Sequence, residues 1–107
     1  FPTLYCGKKK GKKIRLGGWI QKDEYIKSIK NNSVFTMKAK GKATNFVAES
    51  LNRKPLIIKI RLNTNFVKKK IINKPQLYPL IKTKASRQRE LTIISPKNLA
   101  IYSFSFQ

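Results

Sequence analysis

Apolar and polar residues alternate along several segments of the chain, which is the pattern of strands that bury one face. The clearest case is 34–40, where Phe35, Met37 and Ala39 share one face and Lys38 and Lys40 lie on the other. This pattern and short strand-like runs elsewhere predict four strands, over residues 14–16, 34–40, 56–62 and 90–95, and a final strand-like piece over 99–106.

Two other segments carry apolar residues at a spacing nearer to that of a helix. The first is 21–30, where Asp23 and Glu24 lie in the first turn and complement the helix dipole. The second is 42–52, and it is followed by Pro55, which disfavours a helical residue before it. The apolar stripe of this second helix is Ala43, Phe46, Val47, Ser50 and Leu51.

These elements predict an α/β fold of order β-α-β-α-β-β. Two helices would lie on one face of a small mixed four-stranded sheet, which is the simplest layered arrangement. The chain is then one domain over 14–107, preceded by a basic N-terminal arm over 1–13. Residues 63–89 are predicted to form a long basic connection between the third and fourth strands.

Charge restricts the function more than any other feature does. The 107 residues include 25 Lys and Arg against 4 Asp and Glu, for a net charge of +21. So few carboxylates cannot neutralise the cations, and a polyanion would relieve their repulsion while releasing counterions. Nucleic acid is therefore the predicted partner, with RNA favoured and DNA as the alternative. No membrane partner is expected, because a long apolar span and a basic amphipathic helix are both missing.

The residue types that most enzymes use are nearly absent. The chain has no His, a single Cys6 and four carboxylates, which cannot be combined into the usual triads or metal sites. We therefore expect no catalysis, no cofactor and no metal. A lone Cys without a partner base is read as a reduced thiol, which favours an intracellular, reducing compartment.

Residues 34–62 resemble the centre of the Alba family of chromatin and RNA-binding proteins. The sequence KAKGKA at 38–43 is similar to the family's lysine-alanine-arginine-glycine-arginine-alanine motif, with Lys in place of Arg. Val47, Glu49 and Arg53 then fall where the family's helix has its inner and surface residues. The resemblance implies a dimerising α/β domain that binds duplex or structured nucleic acid with little sequence preference.

The chain also departs from the family's pattern. Its first helix is shorter, and Gly17 and Gly18 stand where a phosphate-facing lysine pair is usual. The stretch between the third and fourth strands is longer and contains Pro75 and Pro79. Residues 87–89 resemble the family's basic hairpin tip.

The basic motif has a physical interpretation without any family. Lys38 and Lys40 would lie on the exposed strand face, and Gly41 would let the backbone turn. Lys42 would then start a helix, whose free N–H groups attract phosphate. The alternative is that these lysines only protect a strand edge.

The predicted nucleic-acid-binding residues extend beyond this motif. Tyr78 is included as the candidate for stacking on a base. The others are Lys8, Lys9, Lys10, Lys12, Lys13, Lys38, Lys40, Lys42, Lys59, Arg61, Lys68, Lys69, Lys70, Lys82, Lys84, Arg87 and Arg89.

Two biological roles fit these expectations. The first is a free, homodimeric Alba-like protein that coats or bridges nucleic acid. The second is a structural ribosomal protein of an organellar, mitochondrial ribosome, with the segments 1–13 and 63–89 threaded between rRNA helices and beside other ribosomal proteins. The plainer alternatives for those segments are a solvated tail and a disordered insertion.

Overall fold

The computed structural model describes residues 3–5 and 18–107, and the side chains of all of these except 3–5 and 85–87. Within this part of the chain there are eight strands and no helix, and every strand pair is antiparallel. The strands are β1 (Thr3–Tyr5), β2 (Trp19–Gln21), β3 (Ile26–Ser28), β4 (Ser33–Ser50), β5 (Leu56–Leu62), β6 (Asn65–Ile72), β7 (Gln76–Ser95) and β8 (Leu99–Phe106). The predicted α/β fold with a mixed four-stranded sheet is therefore wrong.

The predicted helix over 21–30 is a hairpin of β2 and β3. The N–H of Lys22 donates to the carbonyl of Tyr25 at 2.8 Å and closes the turn. Trp19 and Ile26 enter the core, whereas Ile20 is 42% exposed. The apolar residues that suggested one helical stripe therefore lie on both sides of a hairpin.

The predicted helix over 42–52 is mostly the second half of β4. This half pairs with β7 on one side and β8 on the other, so its backbone is satisfied by partners distant in sequence. Phe46 and Ala48 point inward, as do the polar Thr44 and Ser50. Because two inward positions are polar, the apolar residues alone do not show the alternation of a strand. Pairing with strands distant in sequence then overrides the helical spacing of those apolar residues.

The predicted long connection over 63–89 is also strand. β6 pairs with β5 along its length, and β7 begins at Gln76. Pro79 lies inside β7 beside a register shift, which is where a strand tolerates a residue without an N–H. The predicted strands at 34–40, 56–62, 90–95 and 99–106 are confirmed. They are, in that order, part of β4, all of β5, part of β7 and all of β8. The predicted strand at 14–16 lies outside the described residues.

The sheet folds over into two layers. A straight strand would place Phe35 and Phe46, eleven residues apart on β4, about 36 Å apart. Instead both rings contact Phe104 of β8, with ring centroids 5.2 and 5.8 Å away. The first layer contains β1, β2, β3, β8, the second half of β4 and the first half of β7. The second layer contains the first half of β4, the second half of β7, β5 and β6.

Both long strands pass from one layer to the other at a bulge. Gly41 of β4 pairs with Arg87 of β7, and Ala43 pairs with Lys82. One residue lies between the two paired positions on β4, whereas four residues lie between them on β7. Extra residues on one strand bend the pair and increase its twist. Gly41 has a φ of 111°, and a Cβ there would lie 2.6 Å from the backbone carbonyl oxygen of Gln107, so only glycine fits.

The space between the layers is filled by aromatic and branched side chains. Phe35 stacks on Phe104 with an interplanar angle of 17°, and Trp19 meets Phe35 edge-on. Both layers therefore share one core. Its fully buried large members are Phe46, Phe104, Ile26, Ile58, Ile60, Ile72, Leu80, Leu91, Ile93, Leu99 and Ile101.

Candidate functional site

The two layers expose outer faces of different chemistry. The outer face of the first layer, here the tyrosine face, carries Tyr25, Tyr102 and Glu49, all half-buried. The outer face of the second layer, here the cationic face, carries five exposed cations. They are Lys38, Lys40, Lys59, Arg61 and Lys69.

Tyr102 reaches the outer face because β8 has a bulge. Ile101 pairs with Ala48 and Ser103 pairs with Val47, so Tyr102 has no Cα partner in β4. Ile101 and Phe104, on either side of the bulge, are both fully buried. Two consecutive residues therefore point outward, and the regular alternation predicted for 99–106 is interrupted at this position.

Tyr102 is held by contacts to both other residues of the tyrosine face. Its ring centroid lies 5.2 Å from that of Tyr25, and its hydroxyl donates to Glu49 Oε2 at 2.9 Å. Burial, helped by the hydrogen bond and charge of Glu49, raises the pKa of Tyr102 to about 12. The phenol is therefore neutral in any physiological medium, and its proton points to Glu49.

Glu49 also faces a pocket at one end of the sandwich. The pocket has a volume of about 420 Å³ and is formed where the β4–β5 turn meets the β6–β7 turn. A backbone hydrogen bond of 2.8 Å from Ser50 N to Asn73 O joins the two turns. The pocket size falls within the about 300–1,000 Å³ that is common for small-molecule sites. Its lining residues are Glu49, Ser50, Arg53, Asn73, Lys74 and Pro75.

The cationic face is built by strand register. Lys59 lies directly opposite Lys69, and Arg61 lies one alternate position further along β5. Directly opposed like charges destabilise a strand pair. On β4, Lys38 lies opposite Glu90, the one carboxylate that this register places on the face. The excess of cations is therefore left to solvent or to a partner.

Lys68 and Lys70 lie on the inner side of β6, which is an edge strand of the sheet. They lie opposite the core residues Ile60 and Ile58 and are half-buried. Burial, with the charge of Lys70 as the second cause, holds the pKa of Lys68 below its ordinary value. Inward-pointing charges on an edge strand discourage pairing with another chain, so this pair has a structural role.

The structure separates the remaining predicted residues. Lys42 is an exposed strand residue, so the predicted helix N terminus for phosphate does not exist. Lys82 and Lys84 are exposed near the β7 bulge, and Arg89 Nη1 donates to Thr83 Oγ1 at 2.8 Å. The side chain of Arg87 is outside the described part, as are Lys8, Lys9, Lys10, Lys12 and Lys13.

Tyr78, the predicted base-stacking residue, lies in the core. Its ring is 4% exposed and meets Phe46 edge-on at 6.1 Å. Its hydroxyl accepts from the N–H of Asn73 at 3.0 Å and donates to the carbonyl of Lys74 at 2.7 Å. This ring therefore braces the β6–β7 turn and shows no surface to a base.

Sequence reasoning missed the tyrosine face. Nothing in the local pattern groups its three residues, because Tyr25 lies in the segment predicted as the first helix, Glu49 in the second helix and Tyr102 in the strand at 99–106. The available signal was compositional, since Glu49 is one of only four carboxylates in a chain of net charge +21.

Two kinds of feature are absent from the described residues. No group of three or more His, Cys, Asp and Glu residues there could hold a metal ion. No helix in that same part of the chain is long and apolar enough to cross a membrane.

Comparison with known proteins identifies a family and a fold. A protein family described as "Thioredoxin like C-terminal domain" matches residues 7–106. No curated protein sequence matches the chain significantly. A family two carbohydrate esterase from Clostridium thermocellum, solved in complex with cellohexaose, has a similar fold with a TM-score of 0.76 at 13% identity, over 99% of this chain and 31% of that chain.

A second solved structure has a similar fold. A family two carbohydrate esterase from Cellvibrio japonicus has a TM-score of 0.71 at 14% identity, covering 83% of this chain and 28% of that one. The chain thus spans less than a third of the length of these esterases. At such identities the likeness is one of fold alone.

These matches correct the interpretation of the basic motif. The resemblance to the Alba family is wrong, since the matching family is a different one and the shared fold is all-β. The inferred roles as an RNA-binding protein and as a mitochondrial ribosomal protein are wrong with it. KAKGKA lies within one long strand that crosses between layers, where its glycine is needed for the bend.

Proposed function

This chain belongs to the family of thioredoxin-like C-terminal domains, and we propose that it is a non-catalytic accessory domain that binds carbohydrate on its tyrosine face. One observation carries the proposal. Tyr102 is turned outward by a bulge, packs on Tyr25 and is oriented by Glu49 beside a pocket.

A sugar ring matches this arrangement chemically. Its C–H groups form an apolar face with partial positive charge, which aromatic rings attract through their negative π-faces. Its hydroxyl groups donate to carboxylates, and Glu49 has a second oxygen, Oε1, beyond the one bonded to Tyr102. Arg53, Asn73 and Lys74 supply donors for the hydroxyl oxygens from the adjoining pocket.

The fold comparison supports a carbohydrate setting. The Clostridium thermocellum esterase with the similar fold was solved with cellohexaose, and this chain corresponds to 31% of that protein. A domain of that relative size is suited to attach or orient a larger neighbour. The family description, "Thioredoxin like C-terminal domain", fits the same accessory role.

The chemistry of the face supports a non-catalytic role. Glu49 is the single carboxylate of the pocket, and one of its oxygens already accepts from Tyr102. Glycoside hydrolysis generally needs two carboxyl groups across the bond, and acyl transfer needs a nucleophile with its base. The residues around the pocket hold no such pair.

Isothermal titration with cellohexaose tests the proposal. Tyr102→Ala and Tyr25→Ala are each expected to weaken binding by about two- to tenfold, since an aromatic contact contributes about 0.5–1.5 kcal/mol. The matched control is Phe66→Ala, which removes an aromatic ring that is 57% exposed on the second layer. Equal binding by all three variants, with folding verified by circular dichroism, would show that the tyrosine face is not the site.

A further inference from the structure

We infer that the cationic face and the adjoining β5–β6 hairpin form a docking surface for an anionic lipid bilayer. This surface is separate from the tyrosine face and does not depend on the function proposed for it. Two independent observations support the inference, one concerning charge and one concerning exposed apolar side chains.

Most of the charge on this surface is uncompensated, since Glu90 is the one carboxylate that the register places among its five cations. Lys59 opposes Lys69 across the β5–β6 pair, with Arg61 beside them on the same face. On the neighbouring strand β7, Ile94 pairs with Lys59 and Thr92 pairs with Arg61, and neither of these β7 residues carries a charge. An anionic headgroup layer would place negative charge against all three cations at once, as polybasic segments do on acidic lipids.

Large apolar side chains surround these cations. Ile57 and Ile71 oppose each other at one end of the hairpin and are 55% and 61% exposed. At the other end Phe66 and Val67 are 57% and 43% exposed. Exposed apolar residues grouped with cations are typical of surfaces that enter the headgroup and acyl boundary of a bilayer.

The hairpin is held in position before any partner arrives. The N–H of Asn63, in the turn, donates to the carbonyl of Glu90 at 2.7 Å. In return, the N–H of Glu90 donates to Asn63 Oδ1 at 3.2 Å. Val67 has no Cα partner in β5 because of a register shift, which places it and Phe66 side by side at the tip. The apolar tip is therefore anchored to β7 and needs little ordering when it inserts.

A bilayer fits these observations better than a soluble polyanion does. A polyanion would contact the lysines but leave Phe66, Val67, Ile57 and Ile71 in water. Lysine and arginine can extend their charged ends to the headgroups while their alkyl chains follow the apolar side chains inward. The sequence showed no amphipathic helix for this purpose, and the edge hairpin supplies an amphipathic surface made of strands instead.

Vesicle flotation of the intact chain tests the inference, with phosphatidylcholine vesicles that contain or lack phosphatidylglycerol. We expect binding to the anionic vesicles only. The variant Lys59→Ala/Arg61→Ala/Lys69→Ala is expected to bind roughly a hundredfold more weakly, at about fivefold per cation. The control Lys22→Ala/Lys54→Ala/Lys97→Ala removes the same charge from exposed positions elsewhere and should retain binding.

A second pair of variants separates lipid from a soluble polyanion. Phe66→Ser/Ile71→Ser should lose vesicle binding, whereas Ile29→Ser/Leu77→Ser, which removes comparably exposed residues outside this surface, should not. The inference is overturned if both apolar variants bind like the parent chain and dextran sulfate displaces the protein fully, which would assign the face to a polyanion. Equal weakening by the two lysine triples would overturn it as well, by showing that only net charge matters.

Discussion

The tyrosine face and the cationic face lie on opposite sides of one core, and their polar groups are arranged in opposite ways. On the tyrosine face, Tyr102 donates to Glu49, so a half-buried hydroxyl and a half-buried carboxylate satisfy each other. On the cationic face, Lys59 opposes Lys69 with no acid between them. The first arrangement fixes the orientation of the Tyr102 hydroxyl and the Glu49 carboxylate. The second leaves two like charges opposed, and an anion outside the chain would reduce their repulsion. The net charge of +21 is a property of the whole chain and does not distinguish these two arrangements.

The largest effect should come from the core that both faces share. Phe104 is fully buried and contacts Phe35 of the second layer and Phe46 of the first. Phe104→Ala should therefore lower the free energy of unfolding by about 3–5 kcal/mol in urea titrations. Phe66→Ala, the exposed control, should change it by less than about 0.5 kcal/mol. Similar losses in the two variants would mean that the layers do not depend on a common core.

An intermediate effect should be confined to the tyrosine face. Tyr102→Phe removes the hydrogen bond to Glu49 and should cost about 1.5 kcal/mol. In the parent chain the pKa of Tyr102 rises from 10.0 to about 12, so folding favours the neutral phenol. This stabilisation is complete below pH 10 and is lost as the pH rises through about 12.

Tyrosinate absorbance during an alkaline titration checks this assignment. Tyr102→Phe should delete the transition near pH 12, and Glu49→Gln should move that transition to lower pH by removing the adjacent negative charge. A late transition that persists in Tyr102→Phe would belong to another tyrosine and would contradict the pairing.

The smallest effect should appear on the cationic face. Lys69→Glu replaces a like-charge pair with an opposite-charge pair opposite Lys59, so it should stabilise the chain by about 0.2–1 kcal/mol. Thermal unfolding at low salt would measure this gain, which should shrink at high salt because the charges are exposed. Lys97→Glu, in the turn before β8, is the control and should give less. Equal gains would show that the net charge, and not the Lys59–Lys69 register, is relieved.

The local sequence pattern predicted several strands correctly, but it gave a helix where the apolar residues fit a helical spacing better than the alternation of a strand. At 34–40, apolar residues alternate with lysine and threonine, and the strand forms as expected. At 42–50, Thr44 and Ser50 occupy inward positions while Val47 points outward, so the apolar residues alone follow a helical spacing. The strand is chosen there because β7 and β8 hydrogen-bond to both of its sides.

The cationic face was partly predictable, and the tyrosine face was not. Lys59 and Arg61 are two residues apart in the strand predicted over 56–62, so alternation places them on one side, and register with β6 adds Lys69. Tyr102 and Glu49 are 53 residues apart and meet only because a bulge in β8 turns Tyr102 outward. No local pattern encodes a bulge that depends on pairing with a distant strand.

The sequence by itself determined the large positive charge, the lack of His and the alternation of the strands that later proved real. These are properties of composition or of neighbours along the chain, and they do not depend on which strands pair. Tertiary structure alone decided that β4 and β7 cross between two layers and that Tyr78 is buried. It also decided that five cations share one face while Tyr102 and Glu49 share the other. Each of these outcomes follows from hydrogen-bond register between distant strands, which the order of residues along one strand does not specify.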